Sequence, residues 1–318
     1  MNYETLEKRA PGNIIGWPSF KGRRTVLAAV ALLALFIFAA VFAVQIAPHN
    51  PHTISDDSLR PPSAEYPFGT DDLGRDILSG VIHGARVSIA IGVTVAVLSG
   101  LIGVLIGLTA GYAGGLVDDL LMRLTELFLI PPRFFLALVV AALFGSTFST
   151  LIVVLSVTYW PTTARLVRAE VMSLKERSFV EAARAMGASP ARILFRTILP
   201  NALPIIITNV VLMVGGVILV EAALEFIGIG DSNYMSWGYM LHNGEHFIRD
   251  AWWVMFFPAL AVSLLVLALN TVGDALNRAL DPKARLANLD KPTARINRMP
   301  HNVHRRKNDE KHSIEASG

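Results

Sequence analysis

The sequence contains no cysteine, which excludes disulfide bonds, thiol catalysis and cysteine-ligated metal sites. It is also poor in charge: 17% of its 318 residues are Asp, Glu, Lys or Arg, whereas a typical soluble domain has about 25%. These charges crowd into both ends and one internal stretch, and long apolar runs fill the rest. This composition is typical of an all-α polytopic membrane protein.

The usual catalytic patterns are missing as well. The sequence has no Gly-x-x-x-x-Gly-Lys-Ser/Thr loop to cradle ATP phosphates. It has neither a nucleophile elbow nor a His-Glu-x-x-His pair. We therefore predict that this chain is not an enzyme. Its isoelectric point near 9.3 is no argument for a nucleic-acid partner, because the basic residues flank apolar runs, as they do in membrane topologies.

Six apolar runs are long enough to cross a bilayer as helices. The first, residues 25–46, has 22 residues without a charge and exceeds the roughly 7–15 apolar residues of a signal peptide. We interpret it as a membrane anchor, with a cleaved signal peptide as the alternative. The other five runs form a helical core within residues 86–280, and they are predicted over 87–111, 121–145, 148–166, 203–229 and 252–276.

Two of these runs carry packing or bending signals. In the run 87–111, glycines recur every four residues at Gly103, Gly107 and Gly111, which lets a neighbouring backbone approach closely. In the run 121–145, the pair Pro131-Pro132 interrupts the helix. We therefore predict one close helix–helix contact and one broken span.

The orientation follows from Lys and Arg counts, because basic segments stay in the cytoplasm. The N-terminal tail, residues 1–24, has five and the segment 165–202 has seven, whereas the loop 47–85 has two and the loop 229–252 has one. The C-terminal end, counted from Arg278 onward, has ten. Both termini and the segment 165–202 are therefore expected in the cytoplasm, and the two loops outside.

Two stretches outside the spans have distinct compositions. Residues 281–318 are polar and basic, and we expect a mostly disordered cytoplasmic tail that reinforces the topology, with anionic-lipid binding as the alternative. The external loop 47–85 is broken by prolines and is predicted to hold one short helix over 73–84. Asp71 or Asp72 is expected to cap that helix.

The cytoplasmic segment 165–202 has a helix–break–helix pattern. Residues 181–186 are strong helix formers, and Gly187 stands where a C-terminal glycine ends a helix. Ser189-Pro190 then provides an N-cap and a proline in the first turn. A short surface helix between two breaks is suited to insertion into a groove on another protein.

The run Glu181-Ala182-Ala183, with Gly187 and Leu199-Pro200, resembles the EAA signature of bacterial ABC importer permeases. The general signature has isoleucine ten residues after the glycine, whereas here Thr197 stands there and Ile198 follows, a form similar to the peptide-importer branch. The resemblance implies a coupling helix that docks into a cleft of a cytoplasmic ATPase. The coupling residues implied in this way are Glu181, Ala182, Ala183, Met186, Gly187, Leu199 and Pro200.

Further matches extend over about residues 25–286. The run from Phe68 to Asp76 resembles the external loop of the C-type permease subunit of dipeptide and oligopeptide importers, and Trp237-Gly238-Tyr239-Met240-Leu241 is similar to that family too. This resemblance implies a type I ABC importer permease fold with six transmembrane helices. It also implies a place in the inner membrane of a bacterium or archaeon, where the chain forms half of the path for peptides or related small solutes.

The same resemblance implies the partners of this chain. They are a second homologous permease, one or two cytoplasmic ABC ATPase subunits that hold ATP and Mg, an extracytoplasmic solute-binding protein, and membrane lipid. No cofactor is expected in this chain itself. The solute is left open among dipeptides, oligopeptides, nickel and glutathione, because the family includes importers of each.

Three charged residues depart from the family pattern. Glu126 stands where relatives commonly have aspartate, and Arg133 follows the proline pair at a position that is usually small or apolar. Glu225 replaces a small polar residue. A charge within a span costs about 2.5–3.5 kcal/mol at mid-membrane on insertion scales, so each side chain is expected to find water or a partner.

Glu221 and Glu225 stand four residues apart and therefore on one face of a helix. Such a pair could relay protons or bind a cation, which keeps open the alternative of a proton- or cation-coupled secondary transporter. We expect instead that both are hydrated at the outer end of their span and face a partner subunit. With Trp237 they are candidates for the translocation path or outer gate.

Two further clusters have ordinary interpretations. Trp237, Trp252 and Trp253 fit an aromatic belt at the outer interface, and they could also contact solute or the binding protein. A set of carboxylates and one imidazole could ligate a metal, but helix capping explains the carboxylates better, and we expect no metal site. That set is Asp71, Asp72, Asp76 and His83.

The topology is testable because the chain has no native cysteine to remove. Single cysteines at Ser63 and Asn243 should react with a membrane-impermeant thiol reagent in intact cells, whereas cysteines at Ser178 and Ser313 should react only after lysis. Labelling of Ser178→Cys from outside would overturn the six-span arrangement.

Overall fold

The computed structural model describes residues 20–280, with side chains from residue 23 onward. In that part of the chain every long element is a helix, and the only extended pairing is an isolated bridge between Thr70 and Asp76. The predicted tail over 281–318 lies outside the described residues, and so does most of the predicted tail over 1–24.

Eleven α-helices follow one another along residues 20–280. They are α1 (Phe20–Val41), α2 (Ala43–Ile46), α3 (Ile77–Ala113), α4 (Gly115–Leu129), α5 (Arg133–Phe144), α6 (Phe148–Lys175), α7 (Ser178–Ala185), α8 (Pro190–Ile193), α9 (Leu199–Phe226), α10 (Trp237–Gly244) and α11 (Trp253–Leu280). A π-helical turn, Leu194–Ile198, joins α8 to α9, and a 3-10 turn, Glu245–Phe247, follows α10.

The number of membrane spans agrees with the six predicted. Five helical segments are long and apolar enough to cross a membrane. The pair α4 and α5 passes the same test only together, bent by 79° where Pro131-Pro132 breaks the helix, and it makes six if it counts as one span. The five continuous segments are Arg23–Val41, Ile77–Ala113, Phe148–Lys175, Pro190–Phe226 and Trp253–Leu280.

The prediction of a separate short helix over 73–84 is wrong. Residues 73–76 are not helical, and residues 77–84 form the first turns of α3, which runs for 37 residues without a break. At about 1.5 Å per residue α3 is longer than the roughly 30 Å of hydrocarbon, so one end projects beyond the membrane. Gly80 and Gly84 lie inside this helix and make room for neighbouring side chains: an added Cβ would lie 2.7 Å from Met240 and 2.6 Å from Trp237.

The glycine contact predicted for the second span is confirmed, and its partner is α6. A Cβ at Gly103, Gly107 or Gly111 would lie 2.6–2.8 Å from a backbone carbonyl or side chain of α6. The carbonyls in question repeat at the same interval of four residues, at Trp160, Ala164 and Arg168. We call this backbone-to-backbone contact the glycine seam. Only glycine allows two helix backbones to come this close.

A group of apolar side chains packs at one end of the glycine seam and receives the short helices α7 and α8. We call it the basal cluster. Val180 of α7 and Ile193 of α8 insert among residues of α3, α6 and α9 there. Its buried members are Leu108, Val167, Val171, Leu174, Val180, Ile193, Ile198, Ala202 and Ile206.

Gly107→Ala should lower the thermal midpoint of the purified protein in detergent. The added methyl would lie 2.6 Å from the Ala164 carbonyl oxygen and 2.7 Å from Val167 Cβ, and overpacking of this kind costs about 1–3 kcal/mol. Gly216→Ala is the matched control, since its nearest new contact is an ordinary 3.9 Å to Tyr159. Equal midpoints for the two variants would mean that the glycine seam is not tight.

Candidate functional site

Helix α7 is held to the rest of the chain by one face. Val180 is 0% exposed and inserts into the basal cluster, and Ala183, one turn later, is half-buried against the same cluster. Both side chains therefore anchor α7 to the chain itself. Glu181 and Ala182 are exposed, and the coupling roles of Glu181, Ala182 and Ala183 stay predictions.

An adjacent face of α7 is apolar and exposed. Phe179 is 41% exposed and Met186 is 81% exposed, and the exposed Ala182 lies between them. The spacing of three and then four residues puts all three on one helical face. We call these three residues the apolar stripe. The sequence analysis selected Ala182 and Met186 but missed Phe179, which the helical spacing alone could have indicated.

The end of α7 is a Schellman motif built on Gly187. The Gly187 amide donates to the Arg184 carbonyl at 2.9 Å, and the Ala188 amide donates to the Ala183 carbonyl at 3.1 Å. Gly187 has φ of +76°, a conformation that side chains with a Cβ rarely adopt. The predicted break is confirmed, and the Ser189 hydroxyl then accepts from the Arg192 amide to start α8, with Pro190 in the first turn.

The shifted isoleucine has a structural explanation in the π-helical turn Leu194–Ile198. A π turn holds one residue more than an α-helical turn, and it brings Ile198 to 0% exposure inside the basal cluster. Thr197, one position earlier, is half-buried. Of the last two predicted coupling residues, Leu199 is half-buried and Pro200 is exposed, both at the start of α9.

Two basic side chains of α6 fasten the residues that follow the glycine seam. Arg168 makes a bidentate ion pair with Asp118 of α4, with Nη2 2.6 Å from Oδ2. Lys175 Nζ donates to the Tyr112 carbonyl at 2.7 Å. Sequence reasoning counted Arg168 and Lys175 only as topology signals, and nothing local in the sequence indicates partners 50 and 63 residues away.

Glu221 and Glu225 are not hydrated, so the expectation that they face water and a partner subunit is wrong. Glu221 is 0% exposed, and the Ser88 hydroxyl donates to its Oε1 at 3.3 Å. Its Oε2 has no hydrogen-bond partner among the described residues. A side chain that is buried within one chain is unable to contact another subunit.

Glu225 holds the start of α10. Its Oε2 accepts hydrogen bonds from the Ser236 hydroxyl and from the Tyr239 amide, the latter at 3.2 Å. Gly230 and Gly238 leave the space that this carboxylate fills, because a Cβ at either position would lie 2.6 or 2.7 Å from Glu225 atoms. Glu225 thus connects the end of α9 to α10.

Trp237 is buried and does not belong to an aromatic belt. Its indole Nε1 donates to the Val81 carbonyl at 2.9 Å, and its ring packs edge-on to Phe36. Trp253 is buried as well, with its Nε1 donating to the Thr70 carbonyl at 3.1 Å. The belt interpretation fits only Trp252, which is 54% exposed.

The external carboxylates have structural roles. Asp76, and not Asp71 or Asp72, caps α3 by accepting from the Ser79 amide at 3.0 Å. Asp71 pairs with Arg75 at 2.6 Å, and burial raises the pKa of the Asp71 carboxyl above its usual range, against the opposing attraction of Arg75. Among residues 20–280 no three or more His, Cys, Asp or Glu side chains are grouped to hold a metal ion.

Arg133 and Glu126, the other two charged residues that depart from the family pattern, differ in their surroundings. Arg133, at the start of α5, donates to the Thr162 hydroxyl and lies 5.0 Å from the centre of the Tyr159 ring. In the described part of the chain it makes no salt bridge. Glu126 is exposed on α4.

Comparison with known families supports the resemblance seen in the motifs. The family model described as "Binding-protein-dependent transport system inner membrane component" matches residues 103–286. That range includes the glycine seam, α7, the π-helical turn and both buried carboxylates.

Two curated relatives match over most of their lengths. The chain is 41% identical over 277 residues to the dipeptide transport system permease protein DppC of Escherichia coli, covering 85% of this chain and 92% of that protein. It is 38% identical over 279 residues to the di/tripeptide transport system permease protein DppC of Pseudomonas aeruginosa, covering 85% and 92%.

A solved structure supports the fold. The methionine ABC transporter MetNI, in an inward-facing conformation, includes a chain that superimposes with a TM-score of 0.52 at 22% identity. The match covers 64% of this chain and 96% of that chain.

The buried carboxylates predict opposite responses to substitution. Glu221→Gln should leave the thermal midpoint unchanged or raise it, because glutamine keeps an acceptor for Ser88 and removes an ionisable group from a fully buried position. Glu225→Leu should lower the midpoint, because the Ser236 hydroxyl loses its buried acceptor at a cost of about 1–3 kcal/mol. Thermal unfolding in detergent measures both. If Glu221→Gln lowered the thermal midpoint as much as Glu225→Leu, the different roles given to the two carboxylates would be wrong.

Proposed function

Because this chain belongs to the family of binding-protein-dependent transport system inner membrane components, we propose that it forms half of the membrane path of an ATP-driven importer for peptides or related small solutes. It is a multi-pass membrane protein and a permease component of the ABC peptide importer family. Its relatives are transport components and not enzymes. The family match and these relatives do not support the alternative of a secondary transporter that uses Glu221 and Glu225.

The observation that carries the proposed mechanism is the apolar stripe on α7. Exposed apolar side chains at positions i, i+3 and i+7 of a short helix are the pattern by which a helix fills a groove on a partner. Phe179, Ala182 and Met186 fit that pattern. The partner is a cytoplasmic ABC ATPase subunit that binds ATP and Mg. Glu181 lies beside the stripe on α7, and Leu199 and Pro200, at the start of α9, belong to the same coupling segment.

Movement of α7 would reach the spans through the basal cluster. Val180 lies beside the stripe on α7 and packs against residues of α3, α6 and α9. A close-packed contact transmits displacement and does not absorb it. When the ATPases close on ATP, α7 is carried with the groove, and the spans shift as one body between inward and outward states.

The end of the helix bundle that includes α10, which is the outer end in the proposed topology, also has a role in this mechanism. Glu221, Glu225 and Trp237 tie α9, α10 and α3 together, and we assign them to bracing an outer gate and not to lining the path. In the proposed topology α10 lies outside, and α7 and both termini lie in the cytoplasm. The second permease completes the path, and a solute-binding protein delivers solute from outside.

Ala182→Asp tests the stripe. The side chain is exposed, so the chain itself should fold and insert normally. In a docked complex the new charge would be buried without a partner, at a cost of about 3–5 kcal/mol. Co-purification of the ATPase and solute-stimulated ATP hydrolysis should both fall, and uptake should fall with them.

Ala191→Asp is the matched control, because it makes the same change on the exposed, neighbouring α8 outside the stripe, and it should keep coupling. If Ala182→Asp retained wild-type hydrolysis and uptake, α7 would not be the coupling helix.

Gly187→Val tests separately whether coupling depends on the backbone conformation at the C-terminal end of α7. Nothing lies within 4 Å of a Cβ at this position, so the cost is the positive φ alone, about 1–2 kcal/mol. We expect reduced coupled hydrolysis for Gly187→Val and near-normal hydrolysis for Gly187→Asn, because asparagine tolerates the left-handed conformation. Equal activities would show that this backbone conformation is not needed for coupling.

A further inference from the structure

A cavity of about 310 Å³ opens between the start of α3, the start of α6 and the loop before α10. It lies on the outer side in the proposed topology. Small-molecule sites typically measure about 300–1,000 Å³, so a small solute fits. None of the family motifs discussed above accounts for it.

The polar part of the lining carries one positive charge, that of Arg86, and no negative charge. Arg86, His83 and His52 all face the cavity, and no carboxylate is among its lining residues. In the described part of the chain Arg86 makes no salt bridge, whereas Arg75, near the same end of α3, is paired with Asp71. An arginine without a carboxylate partner and two imidazoles, each with at least one N–H donor, form a site for an anion.

The one carboxylate of the adjoining loop is already engaged. Asp231 accepts from the Phe148 amide at 3.2 Å and from the Asn233 amide at 3.1 Å. Those hydrogen bonds direct it into the loop backbone. It does not line the cavity, so the positive charge of Arg86 is left for a ligand.

The rest of the lining is apolar and aromatic. The rings of Phe148 and Tyr234 pack with their centres 4.9 Å apart, and Val87 and Ala90 of α3 complete that side. Asn233 adds an amide that both donates and accepts. A wall of this kind suits an uncharged side chain or a peptide backbone next to the anionic group.

We infer that this cavity is a transient subsite for the C-terminal carboxylate of a peptide on its way into the membrane path, with Arg86 as the main contact. The inference rests on the proposed function, because it takes the solute to be a peptide and the cavity to face outward. The concave shape favours a small solute over a protein surface, since an arginine that lines a cavity of this size is reached most easily by a small molecule.

The test uses the purified complex of permeases and ATPases without its binding protein. The probes are alanyl-alanine and its C-terminal amide, and saturation-transfer NMR detects weak binding of each. The wild-type complex should bind alanyl-alanine about tenfold or more tighter than the amide, because only the former offers the charge-assisted hydrogen bonds. Arg86→Glu should remove that difference, and Arg86→Lys should keep part of it.

Arg249→Glu is the matched control, since it makes the same change at an exposed arginine of an external turn and should bind both probes as the wild type does. The inference is overturned if the wild type binds both probes equally or binds neither, or if Arg86→Glu still prefers alanyl-alanine. Affinity of the binding protein for the complex is measured in parallel. If Arg86→Glu weakened the affinity for the binding protein without changing alanyl-alanine binding, the cavity would be a docking site, and the inference would likewise be overturned.

Uptake by reconstituted liposomes separates this inference from the proposed function. An importer that moves alanyl-alanine equally well with Arg86 and with Arg86→Glu would contradict the subsite alone. A wild-type complex that binds alanyl-alanine but imports no peptide would contradict the proposed function and leave the anion site in place.

Discussion

The close approach of α3 and α6 along the glycine seam is the contact on which the rest of the structure depends. Gly103, Gly107 and Gly111 face carbonyls of α6 at the same interval of four residues. At this distance the two backbones have no side chains between them, and weak Cα–H to carbonyl contacts become available along the whole seam. Two helices in such contact move together, because sliding would bring every carbonyl against a new neighbour.

The two ends of this rigid pair are fastened in different ways. At one end the Arg168–Asp118 ion pair and the Lys175 hydrogen bond hold the first turn of α4 and the end of α3, and Val180 adds α7 through the basal cluster. At the other end Trp237 ties α10 to α3, and Glu225 ties α10 to α9. A displacement at α7 therefore has a continuous packed route to α10, which is what a coupled permease requires.

The charged groups divide into those with a partner in the chain and those without. Asp71 with Arg75, and Asp118 with Arg168, satisfy each other in places that are partly or wholly closed to water. Arg86 faces an open cavity, and Arg133 has a hydroxyl and an aromatic ring but no carboxylate in the described residues. In a membrane protein, unpaired positive charge near a cavity is a more informative feature than a completed ion pair.

Local properties of the sequence determined the spans, the break at Pro131-Pro132, the end of α7 at Gly187 and the presence of a glycine contact. Each of these depends on residues within about one helical length of one another, through apolar length, missing amide donors or permitted φ values. The family signature in the segment 165–202 added the function. Tertiary structure alone decided that α6 is the partner of the glycines, that Val180 inserts into the basal cluster, and that Glu221, Glu225 and Trp237 are buried. Those outcomes depend on which helix packs against which, and contacts between residues 50 to more than 150 positions apart leave no mark in local composition.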